Sequence, residues 1–115
     1  MMKLFVLVLN KTEKLEALLK EFLREEICGA TVLQSTGMAR VLSDYDDEDV
    51  PFLTSIKKVL RPDREKNFTI FTVLRDEQVQ RAIAAVQRVV GDLGCKDTGI
   101  VFCVPVDFAK GLEED

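Results

Sequence analysis

The residues best suited to chemistry fall in two groups. Gly37 and Arg40 close one short stretch, and Lys96, Asp97, Thr98 and Gly99 form another. A guanidinium, an ammonium, a hydroxyl and exposed glycine N–H groups are the donors that an anion such as a phosphate needs. Both stretches adjoin apolar runs, so each falls where a loop meets a strand. The same residue types also make ordinary surface charge, and spacing alone leaves both readings open. The second group is Asp44, Asp46, Asp47, Glu48 and Asp49, with Tyr45 among them. Carboxylate clusters suit hard divalent cations. A Ca²⁺ loop of the EF-hand kind does not fit, because Asp49 stands at its glycine position and Ser55 at its bidentate glutamate position. A solvated, self-repelling loop, or a docking surface for a basic partner, suits five acids in six residues better.

What the chain lacks narrows its chemistry. It contains no histidine, which removes the most frequent general base and any Ser–His or Cys–His pair. That favours a non-enzymatic role, although carboxylate or lysine mechanisms remain open. Cys28, Cys95 and Cys103 are odd in number and form no Cys-x-x-Cys motif, so free thiols in a reducing compartment are expected. Lys plus Arg number 16 against 20 Asp plus Glu, a net charge of −4. No basic patch of the kind nucleic-acid binders carry is expected. The apolar run at residues 3–9 is too short for a signal sequence or a membrane span. A cytoplasmic protein without membrane insertion is the expectation, as one domain over residues 1–115.

The elements that must position these residues follow from periodicity. Residues 3–9 (KLFVLVL) are a continuous apolar run, the mark of a central strand. Asn10 and Glu13 have capping-box spacing. Leu15, Leu18, Leu19 and Phe22 then fall at i, i+3, i+4, i+7 and predict a helix over about 11–26. A second strand is expected at about 30–35. Residues 36–66 break the rhythm, with a short amphipathic helix expected around 52–60 and ended before Pro62. Residues 68–74 (FTIFTVL) read as a third strand. Asp76 is a candidate N-cap for a helix carrying Val79, Ala82, Ile83, Val86 and Val90 on one face, closed by Gly91. Residues 99–106 (GIVFCVPV) form a fourth strand, with Pro105 marking its end or a sheet edge.

The plan is βαββαβ. Right-handed crossovers and a central antiparallel pair predict an α+β, ferredoxin-like sandwich, with two helices on one face of a four-stranded antiparallel sheet. Two helices cover only one sheet face. The strands nevertheless carry apolar side chains on both, Leu4, Val6 and Val8 against Phe5, Leu7 and Leu9 in the first strand. A half-exposed antiparallel sheet should alternate. The second face is therefore expected to be covered, most simply by further copies of the chain.

The apolar first strand, residues 29–40 (GATVLQSTGMAR) entering a long connection, and residues 98–106 (TGIVFCVPV) closing the sheet resemble the nitrogen regulatory protein P-II superfamily. The resemblance covers nearly the whole chain in plan. It implies a cytoplasmic signalling protein and a homotrimer with sheets facing inward. The T-loop-like segment would be residues 36–66, docking an enzyme, transporter or regulator through Asp44, Tyr45, Asp46, Asp47, Glu48 and Asp49. It also implies an adenine nucleotide (ATP, ADP or AMP) in clefts between subunits, held by Gly37, Arg40, Lys96, Asp97, Thr98 and Gly99. The chain departs from the family pattern in two places. It has no Gly-Asp-Gly-Lys run before the last strand, and no arginine pair near Lys110. Two other readings remain open beside it: a metal- or ion-binding trimer similar to the CutA family, and a small dimeric α+β barrel enzyme.

Overall fold

Strand β1 (Met2–Leu9) lies inside the sheet and bonds to neighbours on both sides. That is the place for a run with apolar side chains on both faces. The structure, a computed structural model, describes residues 1–43, 66–95 and 98–112. Within them, β2 (Thr31–Ser35), β3 (Asn67–Arg75) and β4 (Gly99–Val106) complete one four-stranded sheet in the order β2-β3-β1-β4. Every neighbouring pair is antiparallel. Two main helices join the strands, α1 (Leu15–Arg24) between β1 and β2 and α3 (Asp76–Val90) between β3 and β4. This is the α+β, ferredoxin-like plan that the sequence predicts.

The core forms where the two helices meet one sheet face. Phe5, Leu7 and Leu9 of β1 and Ile70 and Leu74 of β3 supply the sheet side. Leu18 and Phe22 of α1 and Ala82, Ala85, Val86 and Val90 of α3 supply the helix side. Phe5 and Phe22 meet edge to face, with centroids 6.1 Å apart and planes at 79°, the geometry that ring quadrupoles favour. Outside the core, Arg88 of α3 reaches Glu21 of α1 at 3.4 Å and Glu25, which caps the end of that helix, at 2.8 Å.

The expected helix boundaries need adjustment at both starts. The first helical segment opens as a 3₁₀ turn (Thr12–Lys14) whose N-cap is Lys11, one residue past Asn10, and the α-helix proper begins at Leu15. For α3 the N-cap is Arg75, and Asp76 is the first helical residue. Gln78 Oε1 accepts the Arg75 N–H at 2.9 Å, the backward arm of a capping box. Gly91 does close α3, at φ +94° with its N–H donating to the Gln87 carbonyl. A further short helix, α2 (Met38–Ser43), follows β2 where a loop was expected. The helix expected around 52–60 lies outside the described residues. Among the described residues, no helix is long and apolar enough to cross a membrane.

The other sheet face is apolar, and no element among the described residues covers it. Phe102 is 47% exposed, Ile100 63%, and Leu33 at the opposite edge 51%. Ile100, Phe102 and Val104 stand opposite Val8, Val6 and Leu4 of β1. The two-sided pattern in the sequence therefore corresponds to one face under helices and one face that no described element covers.

Candidate functional site at the Gly37 and Gly99 end of the sheet

Register places the two candidate stretches. Gln34 of β2 pairs with Phe68 of β3, Phe68 with Leu9 of β1, and Leu9 with Gly99 of β4. Gly37 and Gly99 therefore sit at the same end of the sheet and at its opposite edges. Three strand spacings separate those edges, about 14 Å at ~4.8 Å each.

On the β2 side, the Gly37 carbonyl accepts the Val41 N–H at 3.2 Å and so starts α2. Arg40 belongs to α2, and its side chain lies outside what the structure describes. The base of this connection is pinned by a polar cluster that periodicity does not signal. The Ser35 hydroxyl stands 2.9 Å from Thr69 Oγ1, 3.3 Å from the Asn67 carbonyl, and against Asn67 Oδ1. A hydroxyl has one proton, so Ser35 donates to an Asn67 oxygen and accepts from Thr69. The only hint in the sequence is that small polar residues stand on an otherwise apolar strand face.

On the β4 side, the turn after α3 is built by Asp92. Its Oδ1 accepts the Gly94 N–H at 2.8 Å, and its carbonyl accepts the Cys95 N–H at 3.1 Å, an Asx turn. Thr98 is buried, with 1% of its surface exposed, and its carbonyl accepts the Asn10 N–H at 3.1 Å. Its side chain therefore lies inside the single chain. Gly99 lies against the backbone of β1. Lys11, which sequence reasoning did not select, reaches the Val90 carbonyl at 3.4 Å and so brings a cation to the end of α3. Lys96 and Asp97 lie outside the described residues, as do Asp44, Tyr45, Asp46, Asp47, Glu48 and Asp49.

Gly37, Thr98 and Gly99 thus share an end of the sheet without meeting in one chain. Among the described residues, no group of three His, Cys, Asp or Glu side chains is placed to hold a metal ion. Cys28, Cys95 and Cys103 are free and exposed. Partial burial raises the Cys103 thiol pKa, and the nearby Lys3 charge opposes that rise. No known family model matches the chain, and no curated protein matches it.

Proposed function

We propose that the chain is the subunit of a homotrimeric, P-II-like regulatory protein. In this reading the copies cover one another's open sheet faces. A small anionic effector, with ATP, ADP and AMP as the first candidates, binds between subunits. It sits where Gly37 and Arg40 of one copy approach the 96–99 stretch of the next. Residues 36–66 dock a partner protein, and effector contacts at Arg40 bias that segment between free and docked states. A ligand shifts such an equilibrium only by its differential affinity for the two states.

The observation that carries this reading is the pairing of an apolar open face with loops at one end of opposite edges. Fully burying a side chain such as Ile100 or Phe102 contributes about 1.5–3 kcal/mol, so covering the face would stabilise an assembly substantially. Joining copies edge to edge would bring the β2 exit of one beside the β4 entry of another. A single chain leaves them about 14 Å apart by strand spacing.

Light scattering of the purified protein together with a thermal-shift screen of ATP, ADP, AMP, bicarbonate and divalent ions tests the proposal. A trimer mass and a rise in melting temperature with one adenine nucleotide are expected, because a ligand that binds only the folded state stabilises it. Arg40→Ala should weaken that ligand about tenfold or more, the usual cost of one charge-assisted contact, and leave the trimer intact. A monomer at micromolar concentration would overturn the assembly. A trimer that binds no nucleotide would leave a docking protein without a nucleotide effector.

A further inference from the structure

A cleft lies at the end of the sheet far from Gly37 and Gly99, where β3 runs into α3 and α1 turns into β2. It is an open cleft of about 1080 Å³, wide enough to admit a small organic molecule. β3 extends from Asn67, beside Ser35, to Arg75. Eight steps of ~3.3 Å place the two ends about 26 Å apart. The cleft is therefore separate from the Gly37 and Gly99 end.

Its chemistry is set by one wall of α3. Gln78 and Arg81 both line the cleft, and residues three apart share a helix face. The Gln78 carbonyl oxygen already accepts the Arg75 N–H at 2.9 Å. That bond fixes the amide orientation and leaves its NH₂ as the free end, which can only donate. Arg81 has no carboxylate partner among the described residues. The other arginines with described side chains each hold one: Arg24 holds Glu21, Arg75 holds Glu77, and Arg88 holds Glu21 and Glu25. In a chain with 20 acids and 16 bases, a half-buried guanidinium with no carboxylate partner among the described residues, beside an oriented amide donor, offers the donor pair that an acidic group takes. Ile27 and Leu74 lie buried beneath it, and the exposed Leu23 and Leu112 at its sides supply its apolar surface. Glu26 also lines the cleft and disfavours highly charged ligands.

We propose that this cleft binds a small organic anion, with its carboxylate or phosphate on Arg81 and the Gln78 amide and its apolar part over Leu23 and Leu112. The ligand is small because one guanidinium and one amide saturate a single acidic group. It is organic because an inorganic ion would leave most of the cleft filled only by water.

The test uses phenyl phosphate and benzoate as probes, with benzyl alcohol as the uncharged control and inorganic phosphate as the control without an apolar part. Amide shifts in two-dimensional NMR spectra are followed on the full chain. At least one aromatic anion should shift Gly29, Thr31, Gln78 and Arg81, and more strongly than either control. Which of the two does so distinguishes a phosphate from a carboxylate ligand. Gln78→Glu keeps the oxygen that accepts the Arg75 N–H and replaces the donors with a carboxylate. It should weaken binding about tenfold or more with the fold unchanged, as should Arg81→Ala. Cys28 lines the cleft, so the bound probe should slow its alkylation while leaving Cys95 untouched. Equal shifts with benzyl alcohol, shifts confined to other residues, no shifts with either anion in the millimolar range, or unchanged affinity in both variants would each overturn the proposal.

Discussion

The carbonyl oxygen of Val8 lies 2.6 Å from the point where a Cβ on Gly99 would stand. Backbone meets backbone there, so no rotamer change relieves the contact. Gly99→Ala must push β4 away from β1 where the fourth strand begins. We expect a loss of about 1–3 kcal/mol, the usual cost of a strained backbone position, measured by urea denaturation. An unchanged midpoint would show that the strand gives way freely.

The Phe5 and Phe22 rings tie β1 to α1 across the centre of the core. Phe22→Ala should cost about 3–5 kcal/mol, from lost transfer energy and the cavity left behind. A double-mutant cycle with Phe5→Leu should give a coupling of about 0.5–1.5 kcal/mol for the edge-to-face contact. Simple additivity would mean that the ring pair contributes only its buried area.

Glu26 ends α1 in the left-handed region, at φ 62°. The Glu26 N–H donates to the Leu23 carbonyl, and the Ile27 N–H returns to the Phe22 carbonyl at 2.8 Å, the closure that glycine usually serves. A left-handed L-residue costs about 1–2 kcal/mol, while glycine costs about 0.5–1 kcal/mol in unfolded-chain entropy. Glu26→Gly should therefore be neutral or stabilising by up to about 1 kcal/mol, and Glu26→Val should be clearly destabilising. Thermal melts of both variants check the ordering, and a Val variant as stable as the Gly variant would contradict it.

Glu77 has a carboxyl pKa held below its ordinary 4.5, first by its own backbone N–H and then by Arg75 Nε at 2.7 Å. A depressed folded-state pKa adds stability above the unfolded value of the group, and that stability is lost as pH falls through the folded value. Glu77→Gln should therefore narrow the stability difference between neutral and acid solution. The effect should be small, because the pair is exposed. Denaturation curves at the two pH values, with and without the substitution, measure it. A Gln variant with the same acid loss as the parent would remove Glu77 from the account.

The open sheet face makes the proposed assembly sensitive to one charge. Phe102 stands opposite Val6 on that face. Phe102→Asp should reduce the mass seen by light scattering from trimer to monomer while far-ultraviolet circular dichroism stays the same. Burying an unpaired carboxylate at a subunit contact costs several kcal/mol, whereas on an exposed face it costs little. An unchanged mass would place the contact elsewhere.

The sequence by itself determined the strands, the two main helices and the composition of the core. These rest on local periodicity: the unbroken run from Leu4 to Leu9, the i, i+3, i+4, i+7 spacing of Leu15, Leu18, Leu19 and Phe22, and Gly91 where α3 must stop. Apolar residues on both faces of β1 and β4 also announced the uncovered sheet face, because side-chain direction alternates strictly along a strand. Local signals failed where the structure is short or non-local. The helix Met38–Ser43 has too few residues to show a period. Ala85 joins the core although a methyl group gives little signal of burial. The tertiary structure alone decided that Gly37 and Gly99 share an end, since this follows from the order β2-β3-β1-β4. It alone set Gln78 and Arg81 facing Cys28 and Ile27 across a cleft. Residues some fifty positions apart become neighbours only when β2 and β3 pair and the helices close on them, and no periodicity in a linear chain records that adjacency.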